Sequence, residues 1–268
     1  MDDIKKVLLE TLCEFHDFCE ENNLKYFLIG GTLLGAVRHN GFIPWDDDID
    51  VIMLREDYNR LISLSSKFSY PLKLRSPQTE KDFIHPFIKL TNEKIVVEEQ
   101  FEQPFSSGIW IDIFPLDYTF EKTFSQKIHF SIMYRLRLLL DLKYNRRSLS
   151  SFSTRKKMLA MPLKPITKLL PGKTINHLFK LNEEWPSKVF NQKSYLANLY
   201  GAWGIKEAAP TDIFLERALY DFEGKKFWGP KNAKFWLQKV YGNYMQLPSE
   251  ESRISHHRIR IVSGPKSV

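Results

Sequence analysis

The chain has 268 residues, 43% of them hydrophobic, and carries a formal net charge of +7. This length is enough for one large domain or two small ones with a well-buried core. No apolar run reaches the ~18 residues of a membrane span, and the acidic start Met1-Asp2-Asp3 is unlike a signal peptide. We therefore expect a globular protein that is made and kept in the cytoplasm.

The first predicted element is an amphipathic helix over residues 4–22, whose apolar side chains recur at helical spacing. It holds the two cysteines of the chain, Cys13 and Cys19. Six residues along a helix span ~9 Å, which is too far for a disulfide. We expect reduced thiols and no cysteine-based zinc site.

A predicted strand (residues 25–29), a glycine pair and a predicted short helix (residues 32–39) follow one another. Glycines between a strand and a helix N-terminus let backbone amides approach an anion, and the helix dipole favours negative charge there. A glycine pair by itself more often marks only a turn. The candidate phosphate-binding residues are Gly30, Gly31 and Thr32.

Carboxylates stand at the start of the next predicted strand, residues 48–54. Side chains at positions i and i+2 of a strand share a face, so Asp48 and Asp50 would project together. Two carboxylates on one face repel each other, and a hard divalent cation removes that conflict. An acidic run alone is more often a solvated loop. Beside a phosphate-binding turn, however, the pair indicates metal-assisted phosphoryl or nucleotidyl transfer.

The segment from Phe27 to Asp57 resembles the signature of the LicD family, and looser similarities continue at residues 111–117 and 241–248. Members of that family transfer phosphocholine from CDP-choline to bacterial surface glycans. The family belongs to the nucleotidyltransferase-fold superfamily, and fukutin-type proteins are its distant relatives. The resemblance implies a nucleotidyltransferase-like fold, a Mg²⁺ or Mn²⁺ cofactor, CDP-choline as donor, and a glycan acceptor that could be lipid-linked.

Asp112 interrupts an otherwise apolar strand predicted over residues 109–114, after shorter strands at 87–90 and 94–97. Charged residues are rarely buried without a partner. Local backbone amides could satisfy it. In nucleotidyltransferase folds a third acid stands on a neighbouring strand, so the resemblance implies that Asp112 joins Asp48 and Asp50. It would act there as a metal ligand, as a general base toward the acceptor hydroxyl, or as both.

Further candidates concern substrate binding. Arg38 could reach a phosphate or pair with an aspartate, and Lys89 lies on a strand beside the predicted site. A choline headgroup binds aromatic cages through cation–π contacts. Trp45 and Trp110 adjoin the predicted carboxylates, and Trp203 is a further candidate, although most tryptophans are core residues. Asp46 is kept as an occasional metal ligand or a neighbour of the ligands.

Residues 121–180 hold fourteen Lys or Arg against only Glu121 and Asp141, so their net charge is 14 − 2 = +12. Helices are predicted here, the first over residues 124–144 with Ile128, Met133 and Leu136 facing inward. Such a block is either a solvated basic face or an interfacial element that lies on an anionic leaflet.

The last third is predicted to contain a hairpin around Glu223-Gly224 and a helix over residues 233–240. His256 and His257 are left as surface or substrate-pocket residues. We predict an α/β (α+β) fold: a nucleotidyltransferase-like mixed sheet with flanking helices and a basic helical insertion. The expected domains are a catalytic core (1–120), the basic helical insertion (121–205) and a C-terminal hairpin and helix (206–268).

The expected reaction moves phosphocholine from CDP-choline to a sugar hydroxyl and releases CMP. A first alternative places another phospho-group or a nucleotide on a surface polysaccharide. A second alternative, from another class, is a nonenzymatic binder of nucleic acid or anionic membrane that uses residues 121–180. Of the partners, we expect peripheral contact with the inner membrane leaflet and no nucleic acid.

Overall fold

A computed structural model describes residues 2–80, 83–99, 104–144, 165, 167, 169–253 and 259–264. His256, His257 and residues 145–164 of the basic block lie outside the described residues. The helices are α1 (Asp2–Glu21), α2 (Gly30–His39), α3 (Arg55–Ser63), α4 (Thr123–Lys143), α5 (Gly172–Lys188) and α6 (Ala233–Tyr241). The strands are β1 (Phe27–Leu28), β2 (Asp50–Leu54), β3 (Leu72–Arg75), β4 (Ile88–Glu99), β5 (Phe105–Thr119), β6 (Tyr195–Ala197), β7 (Ala208–Pro210), β8 (Arg217–Phe222), β9 (Lys225–Pro230) and β10 (Ile259–Ser263).

One mixed sheet organises the chain. Its strand order is β1-β2-β5-β4-β10, with β3 also paired to β4, and with β6 joining β5 to β7. β2 runs parallel to β5, and the other pairs among the described residues are antiparallel. Helices α1, α3 and α5 pack on β5. This arrangement confirms the predicted α/β class.

α1 supplies an apolar face to the core, as its periodicity predicts. Ile4, Val7, Leu8, Leu12 and Phe15 are all buried, and the helix packs on β4 and β5. Each buried side chain of this kind contributes roughly 1.5–3 kcal/mol of transfer free energy. Both cysteines of this helix are free thiols, as expected.

The prediction of two separate strands at 87–90 and 94–97 is wrong, because β4 is one continuous strand. Its pairing with β5 shifts register between Asn92 and Val96, opposite Gly108. A β-carbon added at Gly108 would lie 2.6 Å from the Asn92 carbonyl oxygen, so glycine lets the irregular strand pass close by. The polar residues that suggested a turn instead form a β-bulge.

The hairpin β8–β9 turns at Glu223-Gly224, where both residues have positive φ, as the favoured two-residue hairpin turn requires. Phe222 and Phe227 are buried beneath it. The Glu223 backbone N–H donates to the Asn40 carbonyl oxygen, and the Glu223 carboxylate accepts from the Phe42 N–H. The hairpin thereby fastens the segment that follows α2.

α4 buries the predicted Met133 and Leu136, but Ile128 is 41% exposed, so its predicted inward position is wrong. The helix packs on α5 through a stripe that includes the buried His129, whose ring bonds the Thr119 hydroxyl and the Asn182 carbonyl oxygen. Ile128 lies off that stripe. Among the helices that the structure describes, none is long and apolar enough to cross a membrane.

Candidate active site

A cavity of about 240 Å³ opens where the N-terminus of α2 meets β2 and β5. Its opposite wall comes from residues 198–207 and from α6. The predicted site residues that line it are Gly30, Gly31, Asp48, Asp50 and Asp112. The sequence separates these residues into two segments about sixty positions apart, and the sheet brings them into one space.

The parallel pairing of β2 with β5 sets Asp50 directly beside Asp112. Asp48 reaches the cavity from the loop before β2, because the strand begins at Asp50 rather than at residue 48. A turn in which the Asp46 N–H donates to the Ile43 carbonyl oxygen precedes it. The predicted shared face of one strand is therefore wrong for Asp48, although both carboxylates line the same cavity.

The aspartates repel one another in this setting. Burial raises the pKa of Asp50 well above its ordinary value, and the nearby charges of Asp48 and Asp112 raise it further. Within the described residues, no three His, Cys, Asp or Glu side chains stand close enough to form a full metal-ligand set. Mg²⁺ commonly takes one or two carboxylates and completes its shell with water and substrate phosphates. The cavity fits a cation that is held in that way.

The two glycines leave room for carboxylates. Gly30 has a φ of +58°, and a β-carbon there would lie 2.6 Å from the Asp50 Oδ2 atom. A β-carbon at Gly31 would overlap the Asp46 carboxylate. α2 begins at Gly30 rather than at Thr32, so both glycines belong to its first turn. Negative charge beside the first turn of a helix is favoured by the helix dipole.

Thr32 lies outside the lining of the cavity. It is buried, and its hydroxyl oxygen accepts a hydrogen bond of 2.8 Å from the Asp50 backbone N–H. Its contact is therefore with the start of β2, where it holds the backbone that carries the Asp50 carboxylate.

Lys89 and Trp110 form a buried layer behind Asp112. The Lys89 ammonium lies 3.0 Å from the Asp112 Oδ1 atom and 3.7 Å from the centre of the Trp110 ring. Both residues are buried and outside the cavity lining. Lys89 balances the charge of Asp112 rather than facing a bound phosphate, and Trp110 supports Lys89 through a cation–π contact.

Arg38 and Trp45 also lie outside the lining. Arg38 donates a 2.7 Å hydrogen bond to the Tyr244 carbonyl oxygen, so it ties α2 to the segment after α6. Trp45 packs near His39, with the Arg253 guanidinium over its ring. Their side chains are engaged in packing between distant parts of the chain, which local sequence does not reveal.

Other lining residues were not predicted. Arg137 of α4 reaches the cavity and donates a 2.7 Å hydrogen bond to the Tyr200 carbonyl oxygen. Glu207 and Tyr241 stand in the wall opposite the aspartates, beside Trp203. Trp203 was a candidate for the choline headgroup and does line the cavity. Tyr241 opens the 241–248 segment that resembles the family, Arg137 belongs to the basic block, and Glu207 carried no signal in the sequence.

A second group of charges lies beside the cavity. Arg55 at the start of α3 makes two hydrogen bonds, of 2.7 and 2.5 Å, to the Asp117 carboxylate and an ion pair of 3.0 Å with Glu183. Glu183 also accepts from the Tyr200 hydroxyl, and Tyr200 lines the cavity. This Arg55 network fixes α3, β5 and α5 around the site.

Comparison with known proteins identifies the family. Residues 23–146 match the family described as LicD/FKTN/FKRP, nucleotidyltransferase domain. The chain is 30% identical over 263 residues to the lipopolysaccharide cholinephosphotransferase LicD of Haemophilus influenzae, which covers 94% of this chain and 93% of that protein. It is 42% identical over 52 residues to the human ribitol 5-phosphate transferase FKRP, which covers 19% of this chain and 10% of that one. The chain belongs to the LicD family.

Proposed function

We propose that this chain transfers phosphocholine from CDP-choline to a sugar hydroxyl of a bacterial surface glycan and releases CMP. The observation that supports the proposal best is the acidic cavity at the β2–β5 pair, within a chain similar over 94% of its length to a lipopolysaccharide cholinephosphotransferase. The name of that relative gives lipopolysaccharide as its acceptor, and for this chain we propose lipopolysaccharide, teichoic acid or a capsule precursor.

Each part of the cavity has a place in this reaction. Asp48 and Asp50 would hold Mg²⁺ or Mn²⁺, which supplies charge neutralisation at the donor pyrophosphate. The first turn of α2 and the Arg137 guanidinium bind and orient the phosphates. Asp112 orients the acceptor hydroxyl and takes its proton as the oxygen attacks the choline-side phosphorus. The bond from that phosphorus to the CMP oxygen breaks, and CMP leaves.

The first alternative keeps the site but changes the donor. The similarity to the ribitol 5-phosphate transferase spans only 52 residues, whereas that to the cholinephosphotransferase spans 263. A different CDP-linked group therefore remains the competing donor, and the rest of the chain favours choline.

The test is release of CMP from CDP-choline by the purified chain, with Mg²⁺ or Mn²⁺ and a panel of glycan acceptors. We expect release that depends on both metal and acceptor and that falls about 100-fold in Asp48→Asn. Asp47→Asn is the matched control, because Asp47 is not part of the cavity lining. Turnover with CDP-ribitol but not with CDP-choline would contradict the choline assignment.

We further propose peripheral contact between α4 and an anionic membrane leaflet, with the chain in the cytoplasm. Phe124, which is 75% exposed, shares one side of α4 with the exposed Ile128 and Tyr134, and Lys127 and Arg135 are interspersed among them. Apolar side chains beneath a layer of basic residues are typical of an interfacial helix.

Sedimentation with vesicles tests this contact and separates it from the nonenzymatic alternative. We expect binding to vesicles that contain phosphatidylglycerol, little binding to phosphatidylcholine vesicles, and weaker binding of Phe124→Ser than of the control Tyr70→Ser. Salt-sensitive binding to duplex DNA that exceeds vesicle binding would instead favour the nucleic-acid binder.

A further inference from the structure

Glu207 occupies an unusual position in the cavity wall. It is only 5% exposed, and its two oxygens accept hydrogen bonds from the Asn198 side-chain amide (2.8 Å) and the Trp203 backbone N–H (2.9 Å). Both donors are neutral. Of the charged residues, Arg137 acts on Glu207 by lowering its pKa, although burial has the larger and opposite effect. Burial raises the pKa of Glu207 to about 7, so a nearby cation would stabilise its charged form.

The backbone is arranged to seat this carboxylate. A β-carbon added at Gly201 would overlap the Glu207 carboxyl group, so only glycine leaves the necessary space. The 198–207 segment therefore folds around the carboxylate, with Asn198 and Trp203 holding it from two sides. This placement fixes the position of the carboxyl group at the cavity surface before any ligand binds.

Aromatic rings surround the same part of the cavity. The Trp203 ring is 47% exposed, and its centre lies 5.2 Å from the centre of the nearly perpendicular Tyr241 ring. Tyr200, Phe87 and Phe114 complete an aromatic lining. The Lys206 ammonium already lies 5.5 Å from the centre of the Trp203 ring, so this ring contacts a cation in the folded chain. Exposed π faces beside a carboxylate are the features that bind quaternary ammonium groups.

We propose that Glu207, together with Trp203 and Tyr241, binds the trimethylammonium group of the donor and sets the preference for choline over uncharged alcohols. This inference rests on the proposed function, since it concerns the donor of that reaction. A trimethylammonium carries charge but no N–H, so it gains nothing from directional acceptors. Glu207 fits such a group, because each of its oxygens already accepts a hydrogen bond from the protein and its charge remains available.

The headgroup site and the aspartates line the same cavity. The charge on Glu207 contributes to raising the pKa of Asp50, and Glu207 likewise acts on Tyr241, so the carboxylates and the aromatic wall share one field. If the donor phosphates bind at the aspartates, the choline headgroup attached to the second phosphorus would face the opposite wall of the cavity. A polyol in that place would bring hydroxyl groups and no compensating charge.

The experiment compares two donors that differ in one atom: CDP-choline, and its neutral isostere with a quaternary carbon in place of the nitrogen. Dissociation constants are measured by calorimetry with Mg²⁺ and without acceptor, so that no turnover is needed. We expect the wild-type chain to bind CDP-choline at least about tenfold more tightly than the isostere. In Glu207→Gln the preference should fall to within about twofold, through weaker binding of CDP-choline alone.

A second variant guards against misfolding. Trp203→Leu replaces a half-exposed ring without touching the buried carboxylate, and it should reduce the same preference about threefold or more. Equal affinities of the two donors for the wild-type chain would overturn the inference, as would a preference that survives in a folded Glu207→Gln. Failure of the proposed function would show differently, as the absence of CMP release from CDP-choline by the wild type.

Discussion

Asp112 and Asp117 lie five residues apart on β5, and each belongs to a different group of charged residues. The two groups differ in how their charge is balanced. Asp117 belongs to the Arg55 network, in which one guanidinium meets two carboxylates within 3.0 Å. Asp112 belongs to the cavity, where it stands beside Asp50 and shares the space with Asp48. Lys89 pairs with Asp112 from behind, while the aspartates that face the cavity repel one another.

The two groups also differ in what shifts the pKa values of their side chains. In the Arg55 network, burial lowers the pKa of Arg55, but Asp117 and Glu183 raise it to well above its ordinary value. In the cavity, burial and like charges act in the same direction and raise the pKa of Asp50. A group in which positive and negative side chains neutralise one another is typical of a structural network. An excess of negative charge in a cavity indicates instead that a ligand supplies the positive charge.

The largest effect that this contrast predicts is on activity. Asp50→Asn removes a carboxylate from the metal and phosphate end of the cavity and should lower CMP release from CDP-choline about 10³-fold. The side chain keeps its volume, so the thermal midpoint of the metal-free protein should not fall. An initial-rate assay and a thermal melt measure the two effects. Near-normal activity of Asp50→Asn would place the essential charge elsewhere.

Breaking the Arg55 network should instead affect stability. Arg55→Met leaves the buried carboxylates of Asp117 and Glu183 without their cation and should lower the free energy of unfolding by about 3–5 kcal/mol. The matched control is Arg60→Met, whose partly exposed pair with Asp57 should contribute under about 1 kcal/mol. Urea denaturation of both variants measures the difference. Similar small losses would show that the network contributes little.

A smaller effect concerns the link between α2 and β2. Thr32→Val leaves the Asp50 N–H without its acceptor and should lower the free energy of unfolding by about 1–3 kcal/mol. Thr32→Ser keeps the hydroxyl and should lose much less. If valine and serine prove equally destabilising, the methyl packing of Thr32 matters more than its hydrogen bond.

The last predicted effect is a pH dependence of stability. Because the folded-state pKa of Asp50 is raised above its unfolded value, the folded metal-free protein binds more protons and loses stability as pH rises between the two values. Asp50→Asn removes this contribution. The difference in unfolding free energy, wild type minus Asp50→Asn, should therefore fall with rising pH by up to about 1.4 kcal/mol per unit. Denaturation in EDTA across pH 4–7 measures it, and parallel curves would contradict a raised pKa.

The sequence predicted the part of the site that depends on local pattern. Asp48, Asp50 and the glycine pair stand within about twenty residues of one another, and Asp112 could be identified as a charged residue in an apolar strand. The pairing of Lys89 with Asp112 and the hydrogen bond from Arg38 to the Tyr244 carbonyl oxygen could not be predicted, because tertiary packing determines both contacts. Glu207 and Arg137 reach the cavity from distant segments, so no spacing in the sequence connects them to it.

The fold shows the same division. Periodicity predicted α1 and turn chemistry predicted the β8–β9 hairpin, since both signals are local. The continuous β4 was missed because a bulge and a turn use similar polar residues, and only the pairing with β5 distinguishes them. The starts of α2 and β2 were also predicted wrongly. α2 begins at Gly30 rather than at Thr32, and β2 begins at Asp50 rather than at Asp48.

The most direct test of the central claim follows the phosphorus atom. CDP-choline labelled with ³²P at the choline-side phosphate and with ¹⁴C in the choline methyl groups is incubated with the chain, Mg²⁺ and a cell-surface glycan. We expect both labels to enter the glycan in equal amounts, one CMP to be released for each phosphocholine transferred, and Asp50→Asn to transfer neither label. Transfer of cytidine to the glycan, or of ¹⁴C without ³²P, would contradict phosphocholine transfer at this site.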